Sequence, residues 1–508
     1  ADPEQARYDD WDDILSTTTQ AMLGLTVGCA RCHDHKIDPI PQADYYGLLA
    51  FFADVPPHGV RGPMQDRNNQ WDMSTADQRD QRTGLEDRIE AIRNELAAME
   101  EAGIGRMSAE DQRRSEGPDR ETLLREKLEQ YLNVSEWELY RATRDKWNRA
   151  RRELRRLPPA DAALALARCN PRPGPMHILV RGNPHVPGDE VAPHFPALFG
   201  DAPPEIPLAP AEARSAGRRR VLAEWIASPR NMLTARVIAN RVWQHHFGRG
   251  IVRSANNFGE LGTPPTHPEL LDWLALWLVD RQWSLKELHR LIMTSSAYQM
   301  DSAGDERGLA LDPANDLFWR FDRRRLGAEE VRDAALAVAG QLNPQMFGPG
   351  FYARLSAETL ATQSRPGDGW GRSPADQQRR RSIYIHVKRS LLPPLLTAFD
   401  FPDVDLSCEG RFVTTHPGQA LALLNGEFFH EQARHLAERV RTEVPEEWPA
   451  QAARAVELAL LRPADVEETA AAVALAERLE LQHGQSPEDA LRWWCLAVLN
   501  LNEFVYLD

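Results

Sequence analysis

Cysteine is scarce: Cys29, Cys32, Cys169, Cys408 and Cys495 are the five in 508 residues. That density excludes a disulfide-built scaffold. Lysine is just as rare, five among 60 basic residues, and acids outnumber bases 75 to 60 for a net charge of −15. Such a deficit of positive charge excludes a general binder of nucleic acid or of anionic membrane, since both recruit basic surface. No apolar run approaches the roughly 18 residues a membrane span requires; the stretch around Leu270–Val279 is short and carries Asp272. The chain opens Ala-Asp-Pro-Glu, with neither initiator Met nor signal peptide, so its N-terminus gives no compartment. Serine-hydrolase, zincin, P-loop and dinucleotide-binding signatures are missing in any supporting context. With 75 acids no carboxylate pair stands out, and whether the chain is an enzyme is left open.

What remains is globular: 42% hydrophobic and 27% charged residues, at a length that suggests about three domains. Periodicity predicts a mainly α, multidomain helical protein with a coiled-coil hairpin insert and minor β elements. Residues 1–75 form a first unit, with helices expected over Asp12–Leu25 and Ala43–Phe52 and a loop over Pro56–Met73. Residues 76–158 are highly charged; Leu85, Ile89, Ile92, Leu96 and Met99 mark an a/d seam, which Trp147, Ala150, Leu154 and Leu157 repeat, predicting an antiparallel hairpin of two long helices. Residues 159–217 read as a loop-rich linker with one strand, Met176–Val180, and residues 218–508 as a large helical domain. Helix starts are expected at Thr266, Ser284 and Ser486, each three residues before a carboxylate, and a strand over Ser382–Val387.

One motif carries chemistry. Gly28-Cys29-Ala30-Arg31-Cys32-His33-Asp34-His35-Lys36 contains C-x-x-C-H, the pattern of c-type haem attachment. Two thiols on one side of a turn reach the two vinyl groups of a haem, and the imidazole of His33 comes under the iron as its ligand. The cofactor expected is covalent haem c, held by Cys29, Cys32 and His33. Asp34, His35 and Lys36 would shape its surroundings or meet a propionate. A structural zinc site, a thioredoxin-like redox pair and a simple disulfide are the competing readings. The sixth iron ligand stays open among His58, Met64, Met73, His245, His246 and His267.

Residues Met22 to Ile40 around this motif resemble the core of a secreted, cytochrome-c-like family abundant in planctomycetes, which pairs two domains of unknown function, fifteen-forty-nine and fifteen-fifty-three. Only the C-terminal part of the first is matched. Asn240-Arg241-Val242-Trp243, Phe247–Val252, Asn256-Asn257-Phe258-Gly259, Thr266–Leu274, Thr414–Asn425 and Leu499–Asp508 are similar to the second. The resemblance implies a periplasmic or extracellular protein and a role beside polysaccharide-degrading enzymes. Its partners would be a redox protein or a carbohydrate-derived substrate. On this reading the chain passes electrons; the alternatives are a non-redox carbohydrate-binding or scaffold protein, or a hydrolase.

Further site candidates are Arg181, Asn183 and His185, in a rigid turn expected to pack on the second domain, and Arg241, expected to pair with a buried carboxylate. The runs Arg323–Arg325 and Arg379–Arg381 read as solvated faces, carboxylate partners or contacts for an anionic glycan, a role to which His386, Lys388 and Arg389 would add.

Overall fold

In the computed structural model, the Asp2 carboxylate accepts from the N–H groups of Glu4 (2.9 Å) and Gln5 (3.3 Å). With Pro3 at the first helical position, where no N–H is needed, this starts α1 (Pro3–Thr18). The helix therefore begins well before the expected Asp12. A π-turn, Thr19–Leu23, follows and ends on Gly24 in the left-handed region at φ 62°. Any Cβ there would lie 2.7 Å from the Phe258 ring, so glycine serves both the turn and the close approach. A 3₁₀ turn over Gly28–Arg31 leads to α2 (Gln42–Leu49), whose Tyr45, Tyr46, Leu48 and Leu49 are buried. The structure describes residues 2–56, 70–117, 119–157, 162–164, 166, 169–210, 212–404, 408–445 and 447–507. Most of the expected Pro56–Met73 loop, with His58 and Met64, lies outside them.

Two compact units result: Ala1–His58 with Asn170–Asp508, and Gly59–Cys169. The second unit contains β1 (Gln70–Asp72), α3 (Ala76–Ile104), α4 (Ala109–Ser115), α5 (Arg120–Tyr131), α6 (Val134–Arg156) and β2 (Ala162–Leu164), with β1 antiparallel to β2. Full capping boxes at Thr75/Gln78 and Asn133/Glu136 open its two long helices. Arg88 meets Glu153 and Glu100 meets the Tyr140 hydroxyl, a reversed order that makes α3 and α6 antiparallel. Ile92 and Leu96 of the seam are buried against Tyr140 and Ala150. The segment between the long helices is itself helical, because Leu123, Leu124 and Leu128 of α5 fill the same core.

Within the first unit, the chain re-enters with Asn170 donating to the Asp54 carbonyl (2.8 Å). β3 (Met176–Leu179) pairs antiparallel with β4 (Pro187–Val191). Helices α7 (Arg218–Ile226), α8 (Met232–Phe247), α9 (Pro268–Asp280) and α10 (Leu285–Met293) follow. The last three share a core of Trp243, Phe247, Leu274, Leu278, Leu288 and Ile292. Then come α11 (Glu306–Leu311), β5 (Arg324–Arg325), α12 (Ala328–Val338), α13 (Ala357–Ala361), α14 (Ala375–Gln378) and α15 (Pro394–Ala398). The chain ends with α16 (Pro417–Asn425), α17 (Glu427–Glu443), α18 (Trp448–Leu460), α19 (Val466–His483), α20 (Pro487–Leu499), α21 (Asn502–Val505) and β6 (Tyr506–Leu507), which pairs with β5. A second core joins α12, α17, α18 and α20 through Val331, Phe429, Leu436, Val456 and Leu491. The fold is mainly α with minor β, as the periodicity predicts. No described helix is long and apolar enough to cross a membrane.

Two local expectations fail for identifiable reasons. Ser382–Val387 is not a strand: the Asp333 carboxylate captures the Ser382 N–H (2.8 Å) and hydroxyl (2.6 Å), turning Ser382–Tyr384 into 3₁₀. Thr266 does not cap α9; its hydroxyl faces the Ile251 carbonyl (3.4 Å), and Pro268 starts the helix behind His267. The arginine runs supply carboxylate partners, one of the roles expected of them, with buried Arg325 on Asp400 (2.6 Å); Arg380 is buried instead among backbone carbonyls. Ser284 and Ser486 cap their helices as expected, accepting from Glu287 and Asp489.

Candidate functional site

The C-x-x-C-H segment sits on the short 3₁₀ turn Gly28–Arg31, held inward by the fully buried Ala30. The turn is pinned from below. The Arg31 carbonyl accepts from Gln42 Nε2 (3.1 Å) and the Tyr46 hydroxyl (2.9 Å), and the Arg31 guanidinium pairs with Asp9 (2.6 Å) and Asp12 (3.4 Å). Cys29 and Cys32 are free thiols, and both are exposed. His33 is exposed too, with Nδ1 at 2.6 Å from the Asp34 carbonyl oxygen. A carbonyl only accepts, so Nδ1 carries the proton and Nε2 keeps a lone pair for a metal.

The neighbours of His33 are spent on the backbone. Asp34 Oδ1 accepts from Gln42 N (2.8 Å), and His35 Nδ1 accepts from Asp38 N (2.8 Å). His35 therefore closes the loop, while Lys36 is exposed. Among the described residues, no group of three or more His, Cys, Asp or Glu side chains is arranged to hold a metal ion, so a zinc reading finds no ligands beyond the motif. No strand leads into Cys29, which removes the context of a thioredoxin-like pair. Of the described candidates for a sixth ligand, His246 is hydrogen-bonded to His289 (2.8 Å) and His267 to Thr266 (3.0 Å).

Two distant segments wall the motif. Gly182, at φ 71°, passes so close to Cys32 that a Cβ would stand 2.8 Å from its Sγ. At the flanks of the motif, Phe258 N donates to the Gly24 carbonyl (2.7 Å) and Glu260 N to the Asp38 carboxylate (2.9 Å), with Gly259 leaving room for that carboxylate. The sequence offers only glycines and a short Asn-Asn-Phe-Gly string as signals for these contacts.

The structure thus brings the turn that carries Arg181, Asn183 and His185 against Cys32 at Gly182. Their turn packs on the motif through Gly182 and on α1 through His185. Arg181 is exposed and left-handed at φ 53°. Asn183 Oδ1 accepts from His185 N (3.0 Å), and His185 Nε2 lies 2.5 Å from Asp2 Oδ2, with Glu4 at 3.7 Å from Nδ1. The His185 contact and the Gln5 and Glu4 N–H groups hold the Asp2 carboxyl below its usual range, and Asp2 holds His185 above its own. The Asp2 contribution is present above about pH 3.9 and lost as pH falls through its lowered value; the His185 contribution is present below about pH 6.5 and lost as pH rises through its raised value. The latch is closed between those limits. We expect the His185 ring to titrate above its ordinary midpoint by NMR, and Asp2→Asn to return it; an unmoved midpoint would exclude the latch.

Arg241 stands apart from this group. Among the described residues it meets no carboxylate: Nη2 donates to the Asn256 side-chain oxygen (2.5 Å) and the Gln20 carbonyl (3.4 Å). The amide outcompetes the expected carboxylate because α8 faces the π-turn and the Asn256 loop.

Comparison with known families matches residues 218–476 to PSD1, a protein of unknown function (DUF1553), and residues 1–56 to PSCyt2, a protein of unknown function (DUF1549). No curated protein and no solved structure matches. The PSD1 match spans half of the chain and the PSCyt2 match contains the C-x-x-C-H segment, so the protein belongs to the cytochrome-c-associated PSD1 family, whose function is unknown, and carries a PSCyt2 segment with it.

Proposed function

We propose that this is an extracytoplasmic c-type haem protein in which Cys29 and Cys32 form the thioether links and His33 Nε2 ligates iron. The observation that carries the reading is the donor set: two free, exposed thiols three positions apart, followed by an imidazole whose Nδ1 is committed to a backbone carbonyl. Each thiol adds S–H across a vinyl group, so attachment needs no leaving group. The exposed turn gives an attachment enzyme access to both sulfurs. Bound haem supplies a one-electron couple. The Asp34 carbonyl fixes the His33 tautomer and ring orientation, a lever on the potential. Thioether attachment takes place outside the cytosol, which makes the compartment periplasmic or extracellular. The role proposed is electron transfer to a redox partner protein, or from a carbohydrate-derived substrate during polysaccharide breakdown.

The test is export of the chain in a host with working haem-attachment machinery, followed by a pyridine haemochrome spectrum. One haem per chain, retained after denaturation, is the expected result. A colourless product from that host would overturn the proposal.

A further inference from the structure

A second group of polar side chains lies on α8, away from the thiols. Arg241 and His245 are one helical turn apart. Arg324 packs on the end of the helix, where a Cβ at Gly248 would lie 3.4 Å from Arg324 Cδ. Loop 408–411 joins them, with Gln244 Nε2 donating to the Glu409 carbonyl (3.1 Å). Partial desolvation, then the guanidiniums of Arg241, Arg324 and Arg411, hold the His245 imidazole below its usual range, with Glu330 opposing them.

The three cations are not equally compensated. Arg411 forms a bidentate pair with Glu329 (2.6 and 2.8 Å), and Arg324 lies 3.9 Å from Glu330. Among the described residues Arg241 has no carboxylate within ion-pair distance. Its Nη2 has only neutral partners, Gln20 and Asn256, and its Nε is buried without a hydrogen bond. Arg324 Nε is likewise buried and unbonded. A guanidinium removed from water without a charged partner is costly unless something else neutralises it. Glu409, whose charge acts on Arg241, is exposed, and its Oε2 accepts from the Asn256 N–H at 3.4 Å, one amide away from Arg241.

We infer that Arg241, with His245 beside it, is an oxyanion-binding site for a carboxylate or sulfate group, and that the Glu409 carboxylate stands in for this group when the site is free. The ligand would accept charge-assisted hydrogen bonds from Arg241 and displace the Glu409 carboxylate from the Asn256 N–H. The site uses none of Cys29, Cys32 or His33, so it stands independently of the haem reading.

Titration calorimetry of the full chain with sodium sulfate, glucose 6-sulfate, glucuronate and neutral glucose tests it. Saturable binding of the charged ligands and none of glucose is expected. Equal affinity for sulfate and glucose 6-sulfate would mean that the bare oxyanion is recognised; tighter binding of the sugar would mean that a charged glycan is. Arg241→Gln should weaken binding about tenfold or more, the cost of a charge-assisted hydrogen bond. Glu409→Gln, on the surface and harmless to folding, should tighten it several-fold. Absence of saturation with every charged ligand, undiminished binding by a folded Arg241→Gln, or unchanged affinity in Glu409→Gln would overturn the inference. Repeating the titration on Cys29→Ser/Cys32→Ser keeps its fate separate from that of the haem.

Discussion

The Cys29→Ser/Cys32→Ser protein, exported in parallel with the parent, is expected to lose haemochrome absorbance to background while its far-ultraviolet circular dichroism is unchanged. Both sulfurs are exposed and unbridged, and surface substitutions of this kind shift stability by no more than about 0.5 kcal/mol. Either single variant keeps one thioether and should retain haem in reduced yield. His33→Ala keeps both links but not the axial imidazole, so covalent haem with an altered Soret band is expected. A double variant that still carries haem through denaturation would show that attachment lies elsewhere.

Arg380→Leu is expected to be the most destabilising single change away from the motif, by about 3–5 kcal/mol. Arg380 is only 1% exposed and, among the described residues, has no carboxylate within ion-pair distance. Its guanidinium donates to the carbonyls of Gln345 (3.3 Å), Pro349 (2.9 Å) and Phe347, and it stacks on Tyr384 at 3.8 Å. Removing it orphans three backbone acceptors at once in a segment with almost no regular structure of its own. Urea unfolding measures the loss. A change below 1 kcal/mol would mean that water replaces the guanidinium without penalty.

These two sites differ in how far the sequence alone could reveal them. The thiols and imidazole of the motif are neighbours in the chain, and their chemistry follows from spacing. The seam of α3, and the caps at Ser284 and Ser486, are equally local. Arg380 is flanked by two other arginines and cannot be told from them, because its acceptors lie some thirty residues upstream. The Ser382–Val387 run has strand-like residues, but Asp333 on α12 takes the hydrogen bonds a ladder would need. Thr266 has the right spacing for a cap and loses it to Pro268. The walls of the motif were the least legible. Gly182 and Phe258–Glu260 are remote from it in the chain, and only the folded backbone makes them its neighbours.

Those walls tie the two matched segments to each other. The flanks of the cysteine loop, at Gly24 and Asp38, belong to the PSCyt2 match, whereas the donors that hold them, at Phe258 and Glu260, belong to PSD1. Splitting the gene between the two would leave the first fragment with a slack loop and the second with stranded amides. Within this chain the two matched segments are mechanically coupled: amides of one complete the hydrogen bonding of the other.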